Sequence, residues 1–207
     1  MNPARKKILL VGASGVIGKH LVVALTPNYE IVRAGRSGPD VALDLTDASQ
    51  LVAKLKSMGS LDAVISTAGR ANFIPLSAVR PAGIESSAYG LGLKDKLMGQ
   101  VNLALAARDV LNEGGSIILT TGTTNETPVL GGSSLSMVNG AIEAWVRAAA
   151  TELRSIRINV VSPSLVEGTT GPGLAAFPGF EVISGEKVAR AYIRCLESGI
   201  NGVTIRV

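Results

Sequence analysis

Short apolar runs rich in β-branched residues alternate along the chain with longer segments whose apolar residues recur every three or four positions, the pattern of repeated β-α-β units. The first run, Ile8-Leu9-Leu10-Val11, ends at Gly12 and passes through a glycine-rich turn into a helix. That helix carries Val16, Ile17, Leu21, Val22 and Leu25 inward until Pro27 stops it. Further strands are predicted at 31–34, 41–43, 63–66, 116–121, 158–161 and 203–205. One helix places Ala48, Leu51, Val52 and Leu55 on one face, with Thr46 as its cap. A long helix over 94–111 carries Leu97, Val101, Leu105 and Ala106 inward, and others follow at 138–153 and 186–196. A polar loop covers 122–134, and residues 168–186 form a Gly/Pro-rich stretch too irregular for a simple connector, the kind that serves as a binding loop or lid.

Hydrophobic residues make up 46% of the 207-residue chain and aromatics only 3%. The core must therefore be built from Val, Ile, Leu and Ala, which suits helices laid on a parallel sheet. The length fits a single domain over residues 1–207, because one α/β core can reach roughly 250 residues before splitting.

The formal charge of +4 raises the question of nucleic acid. The densest basic stretch is only Arg5-Lys6-Lys7, so a solvated surface is expected and nucleic-acid binding is not. Cys195, the single cysteine, excludes an internal disulfide and a thiolate metal cluster and fits a reducing compartment. The opening Met-Asn-Pro-Ala-Arg-Lys-Lys precedes too short an apolar run for a signal peptide or a membrane span. The expectation is a cytoplasmic protein with a small-molecule substrate, no membrane partner and no bound metal.

Gly12-Ala13-Ser14-Gly15-Val16-Ile17-Gly18 stands directly between a strand and a helix, the context in which such glycines indicate dinucleotide binding. Gly12 permits the tight turn, Gly15 lets a pyrophosphate approach the backbone, and Gly18 lets helix and strand pack closely. The helix N-terminus then offers free N–H groups and a partial positive charge to the phosphates. About twenty residues on, an NAD-binding chain places a carboxylate for the ribose hydroxyl. Here the second strand ends in Gly35-Arg36-Ser37. Arg36 offers a planar fork of donors and Ser37 a hydroxyl, which favours the 2′-phosphate of NADP(H). Asp44 is placed to meet the adenine edge or, equally, to cap the helix that follows.

These motifs, with Asp44-Leu45, Thr67-Ala68-Gly69, Gly115-Ser116-Ile117-Ile118 and Ile158-Asn159-Val160-Val161-Ser162-Pro163, make the chain similar to the short-chain dehydrogenase/reductase family over nearly its whole length. The resemblance implies a three-layer, doubly wound Rossmann-type parallel sheet of about seven strands. It also implies a nicotinamide cofactor and a homodimer or homotetramer built on two long helices. It adds Leu45, Ala68, Gly69, Pro163 and Val166 to the cofactor-binding set of Gly12, Ser14, Gly15, Val16, Ile17, Gly18, Arg36, Ser37 and Asp44. The glycine turn departs from the commonest family form, whose middle glycine stands one residue later, at Val16.

Family members of the usual type protonate a carbonyl from a tyrosine whose acidity is raised by a lysine four residues on, with a serine and an asparagine assisting. No such pair exists here. Tyr29 is followed at that distance by Arg33, Tyr89 by Leu93 and Tyr192 by Leu196. Alignment places Leu135 at the tyrosine position, Asn139 at the lysine, Gly122 at the serine and Lys96 at the asparagine. Leucine cannot donate a proton. Lys96, projecting into an apolar cleft, could do so with a lowered pKa, or remain a solvated helix residue beside Lys94 and Asp95. Thr121 could hydrogen-bond a carbonyl oxygen. His20, in the first helix, reads as structural or exposed. Leu135, Phe177 and Phe180 point to an apolar cavity. Two functional readings stay open: an NADP(H)-dependent oxidoreductase with a non-standard active site, or a catalytically silent NADP(H)-binding sensor or partner. A third, an apo structural module, requires a vestigial glycine turn.

Overall fold

Alternation along the first strand divides the core in two. In β1 (Lys7–Val11), Leu9 and Val11 pack on one face and Ile8 and Leu10 on the other, as a period-two pleat requires. All four are fully buried, so both faces of the sheet need a cover. The computed structural model describes residues 5–170 and 172–207, and it supplies helices on each side. Residues 1–4, part of the opening segment, and Gly171, part of the Gly/Pro-rich stretch, lie outside the described residues.

On the Ile8 face, α1 (Val16–Leu25) and α5 (Gly185–Glu197) bury Leu21, Leu25, Val188 and Tyr192. On the Leu9 face, α2 (Ala48–Ser57), α3 (Gly99–Ala107) and α4 (Ser133–Glu152) bury Leu51, Leu55, Leu103, Ile142 and Val146. Between them lie β2 (Glu30–Gly35), β3 (Val41–Ala42), β4 (Leu61–Ser66), β5 (Leu111–Thr120), β6 (Arg157–Ser162) and, after a small separate pair β7 (Leu165–Val166) and β8 (Val182–Ile183), β9 (Thr204–Arg206). The main sheet has seven strands in the order β3-β2-β1-β4-β5-β6-β9, all parallel. This is the three-layer, doubly wound Rossmann-type arrangement that the family resemblance implies.

The winding reverses between β1 and β4, and a crevice beyond the carboxyl ends of the strands there is where open α/β sheets take ligands. Val11 pairs with Ala34 on one side and Ser66 on the other. Gly12, Gly35 and Thr67, the next residues along each strand, therefore meet at one edge.

Several expected details shift. Asp47, not Thr46, caps α2, its carboxylate accepting from the Gln50 N–H, while the Thr46 hydroxyl donates to Asp44. Ala48 and Val52 are exposed on that helix, and Leu51 and Leu55 carry its burial. The long helix expected over 94–111 divides into a π-helical segment, Gly92–Met98, and α3, after which Leu111 already belongs to β5. A π turn holds an extra residue and so rotates everything beyond it. Of the residues expected inward, Val101 and Ala106 are buried and Leu105 faces outward at 41% exposure, with Leu103, Ala104 and Ala107 also turned inward. Helix α4 begins at Ser133, within the segment expected to be loop. The Gly/Pro-rich stretch is pinned at both ends by the β7–β8 pair and contains a 3₁₀ turn, Pro172–Ala176.

Candidate active site

Gly12 leaves β1 with φ of +88°, and a Cβ there would stand 2.7 Å from Thr67 Oγ1 and 2.9 Å from the Ala68 nitrogen. Only glycine allows the two strand ends to close this tightly. Thr67 spans the gap, its hydroxyl set to donate to the carbonyl of Val11 (3.2 Å) or of Gly12 (3.1 Å). A Cβ on Gly18 would lie 2.7 Å from Ala13 Cα and closer still to the Gly12 carbonyl oxygen, so that glycine sets how near α1 comes to the turn. Gly15 precedes the helix and no side chain caps it. The leading N–H groups and the positive end of the helix are thus left for an outside anion.

A cleft of about 260 Å³ opens at this point. Gly12, Ser14 and Gly15 form one side, Arg36, Ser37, Asp44 and Leu45 the other, and Ala68 and Gly69 the base. Arg36 and Ser37 are exposed, and Arg36 makes no ion pair among the described residues. Asp44 Oδ1 accepts from the Thr46 N–H (2.9 Å) and hydroxyl (2.8 Å). These bonds, the backbone one foremost, hold its carboxyl below the ordinary range. Arg70 and Asp95 close the cleft and have no signature in the sequence. The Asp95 carboxylate accepts from the Arg70 N–H at 2.7 Å and from its guanidinium at 2.8 and 3.1 Å, across a sequence separation of 25.

Thr67 also lines a second cleft, of about 430 Å³, so the two form one crevice. Val16 and Ile17 stand at its junction with α1, and Pro163 and Val166 come from the segment after β6. Thr121, Gly122, Thr124 and Leu135 form the wall beyond β5. Phe73 and Phe177 complete it, their ring centroids 6.0 Å apart, and Phe180 stacks edge-on to Phe177 at 5.2 Å without lining the cleft itself. Among the described residues of this lining no side chain is Asp, Glu, Lys, Arg, His, Cys or Tyr.

Behind that wall lies a buried polar layer. The Thr121 hydroxyl donates to Glu143 Oε1 at 3.0 Å. Glu143, only 3% exposed, also faces Arg206 at 3.4 Å, and Arg206 pairs in turn with Glu126. Lys96 is turned inward by the π segment and lies behind the cleft, not in its lining. Its Nζ donates to the Thr121 carbonyl at 3.4 Å, and burial pushes its pKa down to about 8. Gly69 is pressed against it, since a Cβ there would lie 2.8 Å from Lys96 Cγ. Asn139, one turn after Leu135 on α4, donates to the Gly122 carbonyl (3.1 Å) and to Thr124 Oγ1 (3.0 Å). Thr124 accepts there and keeps its own hydroxyl proton for another acceptor. No periodicity or spacing marks Thr124 in the sequence; only the fold of the loop after β5 brings it to Asn139.

The tyrosines are engaged elsewhere. Tyr29 donates to Glu197 at 2.7 Å, Tyr89 shares a hydrogen bond with Ser133, and the fully buried Tyr192 pairs with Thr120 in the core. His20 packs against Gly185 with Nε2 3.3 Å from the Glu167 carbonyl. Among the described residues no helix is long and apolar enough to cross a membrane.

Comparison with known proteins places this geometry. A family model described as enoyl-(acyl carrier protein) reductase matches residues 30–194. The short-chain dehydrogenase/reductase ATR9 of Stachybotrys chlorohalonatus is 31% identical over 148 residues, covering 69% of this chain. The chain spans 55% of that relative's length. The crystal structure of the protein lin1944 from Listeria innocua is 38% identical, with a TM-score of 0.91, and covers 98% of this chain and 99% of that one. A small-chain dehydrogenase solved in complex with NADPH shares the fold at a TM-score of 0.83 and 24% identity, covering 99% of this chain and 97% of that one. The glycine turn at the switch point, the seven-strand order and these matches together make the chain a member of the short-chain dehydrogenase/reductase family of oxidoreductases.

Proposed function

We propose that the chain binds NADP(H) along the crevice and acts as an oxidoreductase on a carbonyl or alcohol group, with a non-standard set of polar residues around the reacting atoms. One observation carries this reading: the uncapped N-terminus of α1 faces a cleft that holds Arg36 at one end and joins the hydroxyl-lined cleft through Thr67 at the other. Gly12 lets the two strand ends close beneath the turn, and at Gly15 a Cβ would meet only the Gly12 carbonyl oxygen at 3.3 Å, so no side chain fills the approach to the helix N-terminus where a pyrophosphate would sit.

In this reading Gly12, Ser14, Gly15 and the first turn of α1 hold the pyrophosphate, and Gly18 keeps the helix close. Arg36 and Ser37 take the 2′-phosphate, Asp44 and Leu45 flank the adenine, and Ala68 and Gly69 lie beneath the riboses. Val16, Ile17, Pro163 and Val166 enclose the nicotinamide end, where the bound cofactor supplies hydride. Thr121 and Thr124 present oxygen and hydroxyl groups to the substrate, and Lys96 positions Thr121 through its carbonyl. No hydroxyl of this kind releases a proton near neutral pH, so the proton is drawn from acid in bulk solvent and relayed through water admitted to the cleft. The absence of an ionisable side chain from the described lining also supports the second reading, a catalytically silent NADP(H)-binding protein. Exposed Met98, Leu105 and Met137 support association as a homodimer or homotetramer, and the lone cysteine a cytoplasmic location.

Calorimetry with NADPH and NADH, followed by NADPH consumption against a panel of carbonyl compounds, tests both. Preference for NADPH with turnover supports the oxidoreductase. Binding without any hydride transfer selects the silent protein, and no binding of either nucleotide removes both.

A further inference from the structure

A broad apolar groove of about 1070 Å³ lies beside the reaction cleft. Its walls include Phe73, Ile74, Leu76, Val129, Leu130 and Ala175. Leu130 is 92% exposed and Leu76 70%. A single exposed leucine needs no explanation, whereas several apolar side chains around one concavity mark a place that something covers.

Two features say what covers it. The groove adjoins the cleft: Phe73 lines both, and Leu174 of the cleft is next to Ala175 of the groove in the chain. The groove is also built rather than accidental: the Ile74 N–H donates to the Gly131 carbonyl at 2.9 Å, tying its two walls together. Among the described residues neither lining contains a charged side chain, so nothing in either would pair with a phosphate or carboxylate. A small ketone confined to the cleft would leave the groove wet. An apolar chain would fill it.

We propose that the substrate of this site is an uncharged molecule with a long apolar chain, whose polar head lies against Thr121 and Thr124 and whose chain runs past Phe73 into the groove under Leu130. The assignment of head and tail rests on the oxidoreductase reading; the existence of the chain-binding groove does not.

The test is displacement of the apolar dye Nile red by methyl ketones of increasing length, from 2-butanone to 2-decanone, on the full chain without cofactor. In the native protein affinity rises about three- to fourfold for each added methylene, the increment expected for burying one CH₂. Leu130→Asp flattens that rise for the longer ketones. Val23→Asp, at a site 77% exposed and absent from the lining of either cavity, leaves it unchanged and serves as the control. Both positions are exposed enough for an aspartate to be solvated, so folding is not at issue. Affinity independent of chain length in the native protein overturns the proposal, as does a slope that survives Leu130→Asp. A dimer that Leu130→Asp dissociates, with ketone affinities unaltered, assigns the groove to a second copy of the chain and also overturns it. NADPH calorimetry is separate, so failure of the cofactor reading is distinguishable from failure of the groove.

Discussion

Lys96 Nζ donates to the backbone carbonyl of Thr121 at 3.4 Å from a position only 8% exposed, with no carboxylate paired to it among the described residues. A buried ammonium with one neutral acceptor is costly, and the protein tolerates it directly behind the wall of its candidate active site.

That cost is measurable as a pH dependence of stability. Lys96 titrates at about 8 in the folded chain, against about 10.4 for an unfolded lysine. Between those values the folded state has shed a proton that the unfolded state keeps, so this group makes the protein more stable as pH rises, by up to about 3 kcal/mol. Below about pH 8 the full penalty stands. Urea unfolding of native protein and Lys96→Met at about pH 7 and pH 10 checks this: the difference between the two proteins should shrink or reverse as pH rises. An equal pH response in both would refute the shift.

Arg36→Ala should weaken NADPH binding by about 10- to 100-fold, the worth of losing charge-assisted hydrogen bonds to a phosphate, while NADH binding changes little. Calorimetry with both nucleotides reads the ratio. Equal losses for the two would move the guanidinium away from the 2′-phosphate.

Gly18→Ala should destabilise the protein by about 2–4 kcal/mol, because the new methyl meets backbone atoms of Gly12 and Ala13 that cannot rotate aside. Gly15→Ala, whose methyl meets only the Gly12 carbonyl oxygen at 3.3 Å, should cost less stability yet still obstruct the anion site. Thermal unfolding paired with nucleotide titration separates the two effects.

Leu135 lines the cleft and Asn139 lies buried one turn later on α4. The double variant Leu135→Tyr/Asn139→Lys should therefore gain the proton donor and its lysine partner, and raise carbonyl reduction by about 10²- to 10⁴-fold, the usual contribution of general acid catalysis. Leu135→Tyr alone should gain much less. Initial rates of NADPH consumption decide, with circular dichroism to confirm that the doubly substituted helix is intact. A folded double variant with no gain would place the hydride acceptor away from this wall.

Local chemistry and periodicity carried much of the architecture. The glycine turn, the apolar runs and the Arg36-Ser37 strand end are contiguous signals, and the physics behind them acts over a few residues: backbone approach at glycine, alternation along a strand, a cap or its lack at a helix end. They led to the parallel sheet, and with the family resemblance, which supplied the three layers and Leu45, Ala68, Gly69, Pro163 and Val166, to a crevice whose linings hold every residue assigned to the cofactor except Gly18, which acts on how α1 packs. The missing tyrosine–lysine pair was equally plain, since composition alone excludes it between Met98 and Glu186.

Tertiary structure decided what depends on phase and on distant partners. The π segment carries Lys96 into the interior, where it meets Thr121 and not the cleft. Periodic reading assumes a constant angle per residue and cannot register such a slip. The Arg70–Asp95 clasp, the Thr121–Glu143–Arg206 layer, the Asn139–Thr124 bond and the meeting of Phe73 with Phe177 each join segments well separated in the chain. Their pairing is set by how the sheet folds back on itself, which no local pattern encodes.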